Sequence, residues 1–478
     1  MKSTKVLLLS PDLLRPVYNQ NGRLKSERFC PPLGMGYLTA VLKNSGCEVR
    51  TIDCTGVSQS HVRGVLTEFQ PDVVGVSCFT EQRGGALELA RLAKAVDAKI
   101  RVVLGGSHVT FLYEQVLRNY PEVDFCVLGE GEHTIVELVE HIVSGGSEFG
   151  GLKGIAFRSG SEIVKTAPRA LANLDELPFP DRDWIDVAAY ADALPDGGRL
   201  GVATLMPARG CPYACQFCST SQFWGKRTRL RGVPSIAAEM DLLWKQGVRI
   251  LHVLADTFTL DQVAVRVLCE EMIQRKYQFS WSCATRAGMV TEDTAQLMKK
   301  AGCDRAVLGI ESLSPRILMN IGKKNTVPQA TETFRILRNA GIKTSCLLMV
   351  GNPGESRASI RETIENLRSL KADQIHSNLT QVYPGTPLYD LAREQGFMDD
   401  NYWLDENKAA PIYLQEHTLE NLRRFQHDIQ DAFFLQNQNY LRWFLGRSGL
   451  EKIVLPMAGT VTGVAKGLRA AVLRQSAR

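Results

Sequence analysis

The sequence predicts an α/β protein with a doubly wound parallel sheet over residues 1–150, a partial (β/α)6 barrel over 196–400 and a helical part over 401–478. Three observations carry that expectation. Short apolar runs alternate with helix-spaced segments up to residue 143, the alternation restarts beyond 196, and near 400 it gives way to helical spacing alone. A hairpin and a proline-rich linker, 151–195, separate the two alternating regions.

A chain of 478 residues has room for two or three domains with full hydrophobic cores. Its formal charge of +5 is small for that length, which argues against a nucleic-acid partner. Near the start, the apolar run Val6 to Leu9 is too short for the core of a signal peptide. No stretch approaches the roughly 18 to 20 apolar residues of a spanning helix. A reducing cytoplasm is therefore the expected compartment. There, close cysteine groups bind metal or do chemistry more often than they form disulfides.

In the first region "VLLLS" (6–10) reads as a buried strand, and "PLGMGYLTAVLKNSG" as a helix with Leu38, Val41 and Leu42 on one face and Gly46 as its stop. The pattern recurs with strands at "EVRTID" (48–53), "DVVGVSCFT" (72–80), "IRVVLGGSH" (100–108) and "DFCVLGEGE" (124–132). Helices "HVRGVLTEF", "ALELARLAKAV" and "HTIVELVEHIV" fall among them. Ligands of such sheets sit outside the carboxyl ends of the strands. Those ends read "SPD", "PPLG", "SCFT", "GGSH" and "GEGE", where glycine lets backbone approach a ligand. Ordinary turn chemistry is the competing explanation. The dinucleotide fingerprint GxGxxG is absent.

Together these loops resemble the cobalamin-binding domain attached to many radical S-adenosylmethionine enzymes. By that resemblance Leu33, Gly34, Ser77, Thr80, Gly105, Gly106, His108, Glu130 and Gly131 are the expected cobalamin contacts. The Asp-x-His-x-x-Gly segment that supplies the lower-axial histidine in cobalamin mutases is missing, so cobalamin is expected base-off, without histidine on cobalt. His108 is the only histidine at a strand end, and a loop histidine bonded to backbone is its plainer explanation.

"RGCPYACQFCST" (209–220) places Cys211, Cys215 and Cys218 within eight positions. Structural zinc wants four closed ligands, yet no fourth cysteine or histidine follows within thirty residues; His252 comes next, in a strand pattern. Three thiolates leave a metal position open. Four-iron clusters are held by cysteine thiolates, and one iron without a thiolate can bind a chelating ligand. The spacing Cys-x3-Cys-x2-Cys, with Phe217 before the third cysteine, resembles the radical S-adenosylmethionine superfamily.

Downstream, helix "IAAEMDLLWKQG" and strand "VRILHVLAD" open the second series, followed by "DQVAVRVLCEEMIQRK", "FSWSCATRA", "TEDTAQLMKKAGC" and "RAVLGIES". "TVPQATETFRILRNAG", "IKTSCLLMVGNPGES", "IRETIENLRSL" and "DQIHSNLTQVYPGTPLY" complete it. Such repeats place a site at the carboxyl ends of the strands. The resemblance implies S-adenosylmethionine contacts from Phe217, Asp256, Thr257, Arg286, Glu311, Ser312 and Gly351. Within that set, Asp256 and Thr257 take the methionine amine, although Ala255 stands where relatives often carry a second acid. Arg286 takes the carboxylate bidentately, with a barrel salt bridge as its alternative. Glu311 and Ser312 face the ribose, and Gly351 approaches the adenine.

In the last part Leu422, Phe425, Ile429 and Phe433 keep helical spacing, so 418–445 reads as a packed helix. At 458–474 Val461, Val464, Leu468 and Val472 form a stripe with Lys466, Arg469 and Arg474 off it. That helix either docks on its own protein or makes peripheral membrane contact.

The resemblance implies three cofactors: a 4Fe–4S cluster, S-adenosylmethionine and cobalamin. The implied chemistry is reductive cleavage to a 5′-deoxyadenosyl radical, then methyl transfer to an unactivated carbon of a lipid, tetrapyrrole or natural-product substrate. A radical cyclase or rearranging enzyme of the same family is the alternative, and a non-catalytic cobalamin- or metal-binding protein a third reading. A small-molecule or lipid-like substrate and an electron donor such as flavodoxin or ferredoxin are the expected partners.

Overall fold

The computed structural model describes residues 3–12, 31–185, 190, 192–193 and 199–436. The helix expected at 458–474, and with it the membrane contact, lies outside them. The described chain forms two compact units. One holds the residues up to 284 with 297–304 and 381–413; the other holds 285–296, 305–380 and the residues from 414 onward.

The first unit begins with β1 (Lys5–Ser10), β2 (Glu48–Asp53), β3 (Val73–Ser77), β4 (Arg101–Gly105), β5 (Phe125–Val127), β6 (Ile155–Ser159) and β7 (Glu162–Lys165). They form one sheet in the order β2-β1-β3-β4-β5-β6-β7. The first five strands are parallel, as the alternation predicts. They are joined by α1 (Leu33–Asn44), α2 (Gln59–Phe69), α3 (Arg83–Val96), α4 (Ser107–Asn119) and α5 (Glu132–Val143). On β1, Leu7 and Leu9 enter one apolar cluster, Val6 and Leu8 the other. A strand buried on both faces explains why "VLLLS" is continuously apolar. The strand order reverses between β1 and β3, which opens a crevice at their carboxyl ends.

One expectation changes here. The hairpin read as part of a linker is β6 and β7, laid antiparallel on β5. β5 is only three residues long, and the hairpin covers the backbone groups of an otherwise open edge.

The unit continues with β8 (Asp192–Ala193), antiparallel to β9 (Arg199–Leu205). A short ribbon pairs β10 (Ala208–Arg209) with β11 (Arg229–Leu230). β12 (Val248–Val253) lies parallel to β9, and β13 (Ser280–Thr285) parallel to β12. In the second unit β14 (Cys303–Glu311), β15 (Lys343–Val350) and β16 (Gln374–Leu379) are also parallel. In chain order the helices are α6 (Thr220–Phe223), α7 (Val233–Lys245), α8 (Gln262–Gln274), α9 (Glu292–Lys300), α10 (Pro315–Asn320), α11 (Val327–Asn339), α12 (Arg357–Leu370), α13 (Pro387–Glu394) and α14 (Leu419–Gln436). Six parallel strands, each followed by helix, are the repeats the sequence predicts. Their first member, β9, is the one no quoted pattern announced.

α14 buries Leu422, Phe425, Ile429 and Phe433, the four residues that predicted it. Of the scattered cysteines, Cys54, Cys78, Cys126, Cys269, Cys283, Cys303 and Cys346 are buried core residues, as small apolar side chains should be. No described helix is long and apolar enough to cross a membrane.

Candidate functional site

β9 and β10 deliver the chain to the cysteine loop. Gly210 opens it at φ +94°, where a Cβ would stand 2.4 Å from the Arg227 carbonyl, so the position demands glycine. Asp256, just past β12, anchors the loop from outside. Its Oδ2 accepts the Gly210 N–H at 3.0 Å and its Oδ1 the Thr220 hydroxyl at 3.1 Å. The Cys211 Sγ lies 3.9 Å from the Oγ1 of buried Thr257. The Cys218 N–H donates to the Cys215 carbonyl at 3.1 Å, closing a turn. Cys215 is buried, while Cys211, Phe217 and Cys218 are half-buried. Burial pushes the Cys218 thiol above its ordinary value, against hydrogen bonds to Thr220.

Among the described residues no three His, Cys, Asp or Glu side chains are already gathered as a metal cage. The donor set is three thiols on one loop, two of them partly open to solvent. That suits a cluster with one iron left for a small ligand better than a closed zinc site.

At the sheet's crevice lies a cavity of about 410 Å³ with a predominantly apolar wall. Leu8, Gly75 and Val76 form its floor, and Leu33, Gly34, Met35, Tyr37 and Leu38 of α1 one side. Of the nine residues nominated for cobalamin, Leu33, Gly34, Ser77, Gly105, Gly106, Glu130 and Gly131 line it. At Gly105 the nearest atom to an added Cβ is 3.9 Å away, so the missing side chain leaves open space. Gly106, at φ +117°, has the Cys78 carbonyl 2.8 Å from where its Cβ would be; there glycine is needed for the chain itself. A glycine-rimmed apolar slot fits a large flat cofactor with a tail.

Thr80 and His108 are not in that wall. His108 is buried, its Nδ1 3.3 Å from the Thr80 Oγ1 and its ring edge-on to Trp403 at 5.9 Å. Burial, then the charge of Arg83, lowers its pKa to about 3, so it is neutral. Arg83 is itself buried and donates to the carbonyls of Thr80 (3.0 Å), Trp403 (3.2 Å), Asp405 (2.7 Å) and Lys408. These contacts fasten the segment 381–413 to the first sheet. At its other end the Leu388 N–H donates to the carbonyl of Gln216, inside the cysteine loop, at 2.8 Å.

Glu130 is spent on protein partners. Its carboxylate accepts from Arg209 (2.9 Å), from both Arg229 nitrogens (2.6 and 3.1 Å) and from the Ala172 N–H (2.7 Å). Burial alone would raise this carboxyl; the Arg229, Ala172 and Arg209 hydrogen bonds hold it below its ordinary value. Arg209 was not nominated, although it stands two residues before Cys211. Its guanidinium also donates to Glu132 at 2.6 Å. A second cavity, about 370 Å³, shares Met206, Arg209, Trp224 and Leu254 with the first and reaches Ala255, Asp256 and Ala284.

The second unit carries the other nominated residues. Arg286 is buried just past β13. Glu311 ends β14 at φ +68°, a left-handed conformation rare for glutamate, and pairs with buried Lys323 at 3.0 Å. Ser312 is buried, its hydroxyl accepting the Ser314 N–H at 3.2 Å. Gly351, at φ +91°, turns the chain after β15. Its N–H and that of Asn352 both donate to the Glu355 carboxylate, whose pKa burial lifts to about 7. The Glu355 carbonyl is 2.8 Å from the His417 Nε2, and the Gly354 N–H donates to Glu416 at 2.8 Å. Lys323 lies outside every segment singled out in the sequence, and in "VGNPGES" only Gly351 was singled out, not Glu355.

Comparison with known proteins adds the following. Residues 22–139 match the B12 binding domain and 205–367 the radical SAM superfamily. An uncharacterized methyltransferase of Pyrococcus horikoshii is 31% identical over 91% of this chain and 94% of its own length. The anaerobic magnesium-protoporphyrin IX monomethyl ester cyclase of Cereibacter sphaeroides is 32% identical over 83% of this chain and 67% of its own. The solved structure of the radical S-adenosylmethionine methyltransferase TsrM from Kitasatospora setae superposes with a TM-score of 0.68. That match is 22% identical and covers 82% of this chain and 76% of TsrM, a likeness of fold.

Proposed function

This chain belongs to the radical S-adenosylmethionine enzymes that carry a B12-binding domain, and from that premise we propose that it is a C-methyltransferase. Its substrate in this reading is a small-molecule or lipid-like compound methylated at an unactivated carbon. The observation that carries the reading is the juxtaposition within the first unit. A glycine-rimmed apolar cavity shares Met206, Arg209, Trp224 and Leu254 with a second one that reaches Asp256, the anchor of the cysteine loop.

In this assignment Cys211, Cys215 and Cys218 hold the 4Fe–4S cluster. Asp256, Thr257, Phe217, Arg286, Glu311, Ser312 and Gly351 bind S-adenosylmethionine. The cavity residues Leu33, Gly34, Ser77, Gly105, Gly106, Glu130 and Gly131 receive cobalamin. When bound, the three cofactors supply reductive sulfonium cleavage and a transferable methyl group; the chain positions and shields them. Gly210 and Asp256 fix the loop that presents the thiols. The apolar wall keeps water from the reacting centre. Buried Arg286 is the residue assigned to the methionine carboxylate, whose planar geometry a guanidinium matches. An external reductant such as flavodoxin or ferredoxin supplies the electron.

The 32% identity to a cyclase favours a second reading, a ring-forming enzyme of the same family. Turnover with methyl-labelled S-adenosylmethionine separates the two. Methylation requires two molecules per product and yields 5′-deoxyadenosine, S-adenosylhomocysteine and labelled product in equal amounts. Deoxyadenosine with unlabelled product and no S-adenosylhomocysteine would replace methylation by cyclisation.

A further inference from the structure

Arg209 touches the rim of the apolar cavity while its own backbone leads into the cysteine loop. It is buried, and five groups hold it. Its Nη1 donates to Glu130 at 2.9 Å, its Nη2 to Glu132 at 2.6 Å, and its Nε faces the Met206 sulfur at 3.2 Å. The guanidinium lies over Tyr37 of α1 at 5.1 Å and over Trp224, just after α6, at 5.2 Å. Glu130, Glu132 and Tyr37 all line the cavity. The next residue, Gly210, is pinned by Asp256, and Cys211 follows.

Any buried guanidinium calls for hydrogen-bonding partners; what distinguishes this one is that its partners line the cavity while its backbone leads into the cysteine loop. Two carboxylates gripping the two ends of a planar guanidinium fix its orientation as well as its position. The two aromatic faces leave it one plane in which to lie. The β10–β11 ribbon adds Arg229 opposite Arg209 on the same face, and it too grips Glu130. The rim loop between β5 and α5 is therefore tied to the cysteine loop through one rigid group.

We propose that Arg209 is a positioning residue that couples the two cofactor sites, so that filling either one orders the other. The inference rests on the assignment of the cavity to cobalamin and the loop to the cluster. An occupant of the cavity restrains Glu130, Gly131 and Glu132; a cluster restrains Cys211. Both restraints act on the same side chain. The second cofactor to bind then meets a site already ordered, which makes the coupling positive, and linkage makes it reciprocal.

The test is hydroxocobalamin binding by equilibrium dialysis to the full chain, cluster-reconstituted and again after iron is stripped by a chelator. Wild type is expected to bind the corrinoid roughly tenfold more tightly with the cluster in place. Arg209→Lys keeps the charge but has neither the fork nor the plane, and it should bring that ratio close to one while iron content stays at the wild-type level. Glu132→Gln, nearly isosteric, should lower the ratio in the same direction and decides the matter if the lysine variant does not fold. A merely structural role would weaken both states equally and leave the ratio unchanged in both variants. That result, or a wild-type ratio of one, would overturn the coupling alone. Wild type that retains no corrinoid in either state would overturn the cavity assignment together with it.

Discussion

The imidazole of His108 stands edge-on to the indole of Trp403, ring centroids 5.9 Å apart, with Arg83 stacked on the same indole at 5.0 Å. The histidine at a strand end is thus a packing and hydrogen-bonding residue under the returning segment 381–413. His108→Ala should lower stability by about 1–3 kcal/mol, the usual range for opening a small cavity beside a buried aromatic. The axial-nitrogen signature of bound cob(II)alamin should be the same in variant and wild type. Nitrogen superhyperfine coupling present in wild type and absent from the variant would place the imidazole on cobalt instead.

Gly105 tests the cavity. An added Cβ there meets nothing closer than 3.9 Å, and a strand end accepts a β-branched side chain, so Gly105→Val should fold normally. Its two methyl groups would stand in the slot. Corrinoid affinity should fall about tenfold or more, a loss of at least about 1.4 kcal/mol, with cluster content unchanged. Undiminished corrinoid binding would move the cofactor elsewhere.

Asp256 holds the cysteine loop by two hydrogen bonds, one to the Gly210 backbone. Removing the carboxylate in Asp256→Ala loses charged hydrogen bonds worth about 1.5 kcal/mol each at most in this exposed place. Iron should leave the reconstituted protein for a chelator several-fold faster, whereas Asp256→Asn should lie between. Alanine replacement of Cys211, Cys215 and Cys218 together should abolish cluster absorption and cleavage of S-adenosylmethionine. Identical release rates for wild type and Asp256→Ala would show that the loop stands without this anchor.

Glu355 predicts a pH dependence. Its folded-state pKa is raised by burial to about 7 from an ordinary 4.5, so folding favours the protonated carboxyl. That contribution is complete below 4.5, shrinks as pH rises, and is gone above about 7. Relative to Glu355→Gln, wild type should therefore lose up to about 3 kcal/mol between those limits and run parallel to the variant at higher pH. Thermal melts of both proteins across this window measure it. Curves parallel throughout would mean that Glu355 titrates normally.

The family and the parallel α/β architecture were legible in the residues themselves, because the marks of both are local. Three thiols within eight positions make a recognisable pattern before any folding, and strands buried on both faces leave continuous apolar runs such as "VLLLS". Seven of the nine residues expected at the glycine-rich strand ends line one cavity. Thr80 and His108 did not join them: their side chains meet each other at 3.3 Å and the His108 ring packs on Trp403, which lies far along the chain. The grip of Glu130 and Glu132 on Arg209, and the hairpin's place on β5, likewise depend on which distant segments meet. Pairing between segments with no common period leaves no mark in either one. Sequence fixes what each stretch is able to do; burial and the arrival of a distant partner decide which of its polar groups remain available to do it.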